Sequence, residues 1–247
     1  MLYPENTNMM KFPGRNLKNH IVKYRSNGNS SRNFKQVYSV CLILIFCIAL
    51  YNDSILHAQT MKTQNTSINS EQATFGAGCF WCVETVFSRV EGVQDVRSGY
   101  SGGHVKNPSY KEVCTGTTGH AEVCQLTFDP SKITYTELLE IFWKTHDPTT
   151  LNRQGNDIGT QYRSVVFYHN AEQKKVAEEM KDKLNIEGIW DNPVVTEIVS
   201  FTAFYPAEDY HNDYYEKNPS QPYCSFVITP KVEKFEKIFK DYLRESK

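Results

Sequence analysis

The 247-residue sequence predicts a single domain of two packed layers in which strands and helices alternate, preceded by a long N-terminal extension. Three observations carry this prediction. From about residue 73 onward, apolar residues switch repeatedly between strand and helix periodicity, with no internal repeat. The length suits one domain with an appendage, and the charged fraction, 22%, is ordinary. The first seventy or so residues differ in composition from everything that follows.

Residues 1–36 are polar and basic without apolar periodicity, and disorder is expected there. VYSVCLILIFCIALY (37–51) follows Arg32 and Lys35. It is short for a spanning helix, which needs about 20 residues, and suits the apolar core of a signal peptide. Small residues in SILHAQT (54–60) offer cleavage near Ala58 or Gln59. The basic region ahead of it is unusually long, so a start downstream of Met1, an uncleaved membrane anchor and a buried helix stay open. Export is expected, periplasmic or secreted, with tethering as the alternative. Residues 60–71 are a polar linker, and the folded domain is expected over 72–247.

Within that domain, ATFGAG (73–78) reads as a strand ending in glycines. CFWCVETVFSRV (79–90) places Phe80, Val83, Val86, Phe87 and Val90 at helical spacing. VQDVRSGYSGG (93–103) is a strand running into a glycine loop. HAEVCQLTFDP (120–130) alternates, with Glu122, Cys124, Leu126 and Phe128 on one face. YTELLEIFWKTH (135–146) is a helix, YRSVVFYH (162–169) a strand, and AEQKKVAEEMKDKLN (171–185) a charged amphipathic helix. PVVTEIVSF (193–201) is a further strand, and AEDYHNDYYEKN (207–218) reads as helical. PKVEKFEKIFKDYL (230–243) closes as a helix with proline at its start.

Charge and cysteine usage narrow the chemistry. Lys and Arg number 27 against 28 Asp and Glu, so there is no basic footprint for nucleic acid. Cys41 and Cys47 lie in the apolar run, leaving Cys79, Cys82, Cys114, Cys124 and Cys224 in the domain. An odd number of thiols argues against a closed disulfide framework. There is one C-x-x-C, and His104, His120, His146, His169 and His211 form no metal-type pair, so no metal is expected.

GCFWCVE (78–84) sets Cys79 where a strand turns into a helix. Unpaired N–H groups and the positive end of the helix dipole meet there, favouring thiolate. Cys82, a turn further in, is expected to be less acidic. A thioredoxin-like pair is the rival reading, opposed by the bulky Phe80 and Trp81 between the cysteines. Glu122 among apolar neighbours is expected to hold its proton near neutral pH and to donate it, unless the strand is flipped and the carboxyl solvated. RQGNDIGTQYRS (153–164) holds Asn156, Asp157, Gln161 and Tyr162, either as a turn or as a substrate-orienting loop. The stretch 102–122 carries Tyr110 and Cys114 up to Glu122. Cys224 follows two prolines, in a mobile loop able to reach another sulfur or packed on a short strand over 224–228. A thiolate, a buried acid, neighbouring aromatics and a second thiol fit the repair of oxidised sulfur.

The chain resembles the A-type peptide methionine sulfoxide reductases over roughly residues 73–240. The resemblance rests on GCFW (78–81), GYSGG (99–103), NPSYKEVCTGTTGHAEV (107–123), HDPTTLNRQGNDIGTQYRS (146–164) and FYPAEDYHNDYYEKNPSQPYC (204–224). It implies an α+β two-layer sandwich around a mixed sheet, ferredoxin-like, acting on the S epimer with no cofactor. It implies Cys79 as the nucleophile that passes through a sulfenic acid, and Glu122 as the acid at the sulfoxide oxygen. Tyr110 and Tyr162 would hydrogen-bond that oxygen, Asp157 would organise the site, and Phe80 and Trp81 would receive the S-methyl group. Cys224 matches the recycling thiol, giving a Cys79–Cys224 disulfide reduced by thioredoxin or an equivalent dithiol, periplasmic if the chain is exported. The implied partners are oxidised methionine, free or in proteins, and that reductant, with a monomeric enzyme expected. Many relatives have glycine where Cys82 stands, so Cys82 is an alternative resolver. Pairing it with Cys79 is expected to need a loosened helix start.

Overall fold

The computed structural model describes residues 70–244. The apolar run 37–51, with the signal or anchor expected of it, and nearly all of the linker lie outside the described residues. No helix among the described residues is long and apolar enough to cross a membrane.

The strands are β1 (Glu71–Ala77), β2 (Val93–Ser101), β3 (Ala121–Phe128), β4 (Arg153–Gln154), β5 (Asp157–Ile158), β6 (Ser164–Tyr168), β7 (Glu197–Ser200) and β8 (Phe204–Pro206). Six of them form one mixed sheet in the order β7-β6-β1-β3-β2-β8, while β4 and β5 make a separate hairpin. Only the β6–β7 pair of the large sheet is parallel. The helices are α1 (Phe80–Phe87), α2 (Tyr110–Cys114), α3 (Tyr135–Thr145), α4 (Ala171–Ile186), α5 (Tyr214–Lys217) and α6 (Thr229–Ile238).

The alternation read in β3 explains how the core is divided. Cys124, Leu126 and Phe128 enter the main core with α1 and α3, whereas Ala121 and Val123 pack with Val165 and Phe167. Phe75 of β1 joins the layers, its ring 5.6 Å from Phe87 and 5.1 Å from Phe142. Capping boxes start the helices that flank β3: Ser109 with Glu112 for α2, and Thr134 with Glu137 for α3.

Three expected elements differ. The strand at 193–201 is confined to Glu197–Ser200. The stretch 207–218 is not one helix, because Asp213 adopts φ 53° and separates a tight turn at Asp209–His211 from α5. Cys224 lies in neither a mobile loop nor a strand. It begins a π-helical turn, Cys224–Ile228, that runs straight into α6. Pro230, in the first turn of α6, has no N–H to continue a regular ladder, and the Cys224 carbonyl accepts instead from Thr229, through its N–H and its Oγ1.

Candidate active site

The junction between β1 and α1 is built around Gly78. Its φ of 86° is open to glycine, and an added Cβ would stand 2.5 Å from Cβ of Gln154. Gln154 is itself fixed: its Oε1 accepts from the Asp147 N–H at 3.1 Å and its Nε2 donates to the Asp147 carbonyl at 3.0 Å. The hairpin carrying Asp157 is thereby seated against the chain just before Cys79.

Cys79 is the N-cap residue of α1, with φ −57° and ψ 123°, and Cys82 is its third helical residue. The Cys82 N–H donates to the Cys79 carbonyl at 3.1 Å. Both thiols are buried, and the two sulfurs hydrogen-bond with each other. An N-cap side chain reaches naturally toward the third helical residue. The two reduced sulfurs therefore meet with the start of α1 intact.

The expected order of acidity is reversed. Burial pushes the Cys79 thiol up, and the charges of Cys82 and Glu122 add to it. Cys82 is lowered to about 6, first by its hydrogen bond with Cys79 and then, against burial, by the Lys231 ammonium. Lys231 Nζ lies 3.7 Å from Cys82 Sγ. The helix terminus alone does not set the acidity here. Burial favours the neutral form of Cys79, and the ammonium beside Cys82 favours its charged form.

Glu122 points into the site, as the strand pattern predicts, and is 1% exposed. Its Oε2 accepts the Phe80 N–H at 3.1 Å. Two residues along the same face, the Cys124 thiol donates to the Phe80 carbonyl at 3.4 Å, so β3 grips the first turn of α1 from both sides. Burial pushes the Glu122 carboxyl up to about 8, with the charges of Asp157 and Cys82 adding and the Phe80 N–H opposing. A carboxyl so placed carries a proton through the neutral range and can give it up.

Tyr110 and Tyr162 are both half-buried, and both are raised above the ordinary tyrosine value by burial, with the Glu122 charge contributing. The Tyr110 hydroxyl hydrogen-bonds with Cys114, and its backbone N–H donates to Glu208 at 2.9 Å. Asp157 Oδ2 accepts the Tyr223 hydroxyl at 2.6 Å, and Tyr223 also hydrogen-bonds the Cys79 sulfur. Tyr223 thus bridges the carboxylate and the thiol pair.

Phe80 is buried against Tyr110 and His211, with ring centroids 6.4 and 4.9 Å away. Trp81 is partly exposed. Its Nε1 donates to His211 Nδ1 at 3.1 Å, and Tyr214 stacks on its face at 3.7 Å with 5° between the planes. Tyr223 meets it edge-on at 5.9 Å. Aromatic surface beside a thiol and a neutral carboxyl forms an environment for a small thioether or sulfoxide group.

Cys79, Cys82, Glu122, Asp157, Tyr110, Tyr162, Phe80 and Trp81 are therefore gathered at one end of α1. Cys224 is 0% exposed, packed in the main core on the turn before α6, and feels the charge of Cys82. Sequence reasoning missed Tyr223, His211, Tyr214, Cys124 and Lys231. Two of these, His211 and Tyr214, stand in AEDYHNDYYEKN (207–218), where the helical reading gave them no role in the site. Among the described residues, no group of three or more His, Cys, Asp or Glu side chains is placed to hold a metal ion.

A family profile described as "Peptide methionine sulfoxide reductase" matches residues 71–243. The "Peptide methionine sulfoxide reductase MsrA" of Saccharolobus solfataricus is 60% identical over 174 residues, spanning 70% of this chain and 97% of its own length. The protein of the same name from Sulfolobus acidocaldarius is 64% identical over 171 residues, 69% of this chain and 96% of its own. Among solved structures, Mxr1 from Saccharomyces cerevisiae in reduced form is 36% identical with a TM-score of 0.58, covering 71% of this chain and 93% of that one. Methionine sulfoxide reductase A of Corynebacterium diphtheriae is 35% identical with a TM-score of 0.57, covering 63% and 78%.

Proposed function

The chain belongs to the peptide methionine sulfoxide reductase family, thiol-dependent oxidoreductases that reduce methionine sulfoxide, and on that premise we propose how its own residues divide the work. Cys79 attacks the sulfoxide sulfur. Its proton has an acceptor in the Cys82 thiolate hydrogen-bonded to it, a base whose pKa of about 6 suits transfer near neutral pH. Glu122 protonates the sulfoxide oxygen, and the Tyr110 and Tyr162 hydroxyls hydrogen-bond it. The S-methyl group rests against Phe80 and Trp81, while Asp157 holds Tyr223 beside the thiols. Methionine leaves, and the oxygen stays on Cys79 as a sulfenic acid. A second thiol, Cys82 or Cys224, displaces that oxygen as water and closes a disulfide. Thioredoxin or an equivalent dithiol then reduces the disulfide and is itself oxidised.

The observation that carries this reading is the Glu122 carboxyl seated on the Phe80 N–H, one residue from Cys79. The reading extends to the S epimer as substrate, free or in proteins, and to a monomeric enzyme. The central order β6-β1-β3-β2, with one helix after β1 and one after β3, supports a ferredoxin-like two-layer description. Export by the N-terminal run belongs to the same proposal, with a periplasmic dithiol as reductant. Turnover of methionine S-sulfoxide by the full chain with dithiothreitol, set against the R epimer, tests it. Equal rates would overturn the stereochemical assignment, and no turnover would overturn the division of roles.

One observation favours a second reading. Hydrogen-bonded cysteines at the N-cap and third helical positions, with one of low pKa, suit a dithiol oxidoreductase. Reduction of insulin disulfides that is lost in Cys82→Ser would support it.

A further inference from the structure

Lys231 is the third residue of α6, half-buried, with its ammonium 3.7 Å from Cys82 Sγ. Among the described residues no carboxylate pairs with it. A partly desolvated lysine without an acid partner, aimed at a buried sulfur, has one electrostatic effect: it favours thiolate there. The other groups facing Cys82 do not replace it. Asp157 from the hairpin and Glu122 from β3 carry or can carry negative charge, and Tyr223 and the thiols of Cys79, Cys124 and Cys224 carry none when protonated. The Lys231 ammonium acts on Cys82 directly.

We propose that Lys231 is a positioning residue that holds Cys82 as the thiolate attacking the Cys79 sulfenic acid, so that Cys82 precedes Cys224 in the order of thiols. The proposal rests on the sulfenic acid chemistry of the preceding section. In the step, Cys82 sulfur bonds to Cys79 sulfur, the S–O bond breaks, and the oxygen departs as water after taking up a proton. Cys79 is reduced from sulfenic acid to disulfide, and Cys82 is oxidised. Cys224 stands on the turn that leads directly into the helix carrying Lys231, and both pack against α1. Its thiolate then attacks Cys82, releasing Cys79 as thiolate and leaving a Cys82–Cys224 disulfide for the dithiol reductant. The C-terminal segment thereby supplies both the cation for the first exchange and the sulfur for the second.

Single-turnover experiments on the full chain test this, using methionine sulfoxide without external reductant. Methionine formed, dimedone-trapped sulfenic acid and the disulfide, located by mass spectrometry, are followed together. In Lys231→Met, methionine formation is expected to slow as well, because Cys82 takes up the Cys79 proton in the first half-reaction, so closure is timed from sulfenic acid already formed. Closure of Cys79–Cys82 is expected to slow about tenfold at pH 7, with its pH midpoint moved up by roughly one unit. Dimedone adduct accumulates accordingly, and Lys231→Arg restores both rate and midpoint. Unchanged closure in Lys231→Met, or a Cys79–Cys224 disulfide formed first, overturns the proposal. Should Lys231→Met fail to fold, the wild-type pH profile of closure decides: a midpoint near about 8.5, that of an ordinary thiol, overturns it. Absence of methionine in the wild-type turnover would instead count against the reductase roles themselves.

Discussion

The Oε2 of Glu122 accepts the backbone N–H of Phe80 at 3.1 Å, joining residues 42 apart in the chain. That bond sets the carboxyl of β3 against the first turn of α1, beside the sulfur of Cys79. Acid and nucleophile are placed by the same contact, so their separation does not depend on a flexible loop.

Glu122→Gln keeps an acceptor for the Phe80 N–H and loses the proton. The first half-reaction is expected to fall by about 10²–10⁴-fold with little change in folding. In the wild-type protein the acid form is present below about 8 and is lost as pH rises through that value. Single-turnover rates across pH should therefore show a basic limb near 8 that disappears in the variant.

Gly78→Ala places a side chain at φ 86° and within 2.5 Å of Gln154. A loss of about 1–3 kcal/mol is expected in urea unfolding, since both backbone strain and the seating of the hairpin are disturbed. The same variant should lose activity beyond its loss of fold, because Cys79 and Asp157 are registered through this contact.

Tyr214→Ala removes the ring stacked at 3.7 Å on Trp81. Aromatic pairs contribute about 0.5–1.5 kcal/mol beyond simple burial. KM for methionine sulfoxide is expected to rise several-fold, with the saturated first-turnover rate nearly unchanged. An equal fall in kcat would place Tyr214 in the chemical step instead.

How far the site could be read from the chain follows from the range of the forces involved. Glu122 was legible because strand alternation puts it on the face of Cys124, Leu126 and Phe128, and the structure keeps that face in the core. The place of Cys79 was legible because glycine before cysteine marks the passage from strand to helix. The acidity of the thiols was not, since it depends on Lys231, 149 residues beyond Cys82. Cys224 was misplaced because the two prolines before it suggested a loop, whereas tertiary packing folds the following residues into a buried π-helical turn. The helix read over 207–218 is broken by one left-handed residue, Asp213, which periodicity does not reveal.

Glu84, buried in α1, accepts the Asp213 N–H at 3.1 Å. Burial pushes its carboxyl up to about 7, with the Asp213 N–H opposing and the Asp213 charge adding. A group raised in the folded state contributes stability that is fully present below its unfolded value, 4.5, and is lost as pH rises through about 7. Unfolding free energy from urea titrations should decline over that window, and Glu84→Gln should flatten the decline.

The most direct test of the account is one rapid-quench turnover of the reduced full chain with each methionine sulfoxide epimer, without external reductant. The account predicts methionine from the S epimer, rising to two per chain because the second exchange releases Cys79 to react again, none from the R epimer, and none from either with Cys79→Ser. Methionine formed by Cys79→Ser at the wild-type rate would contradict it.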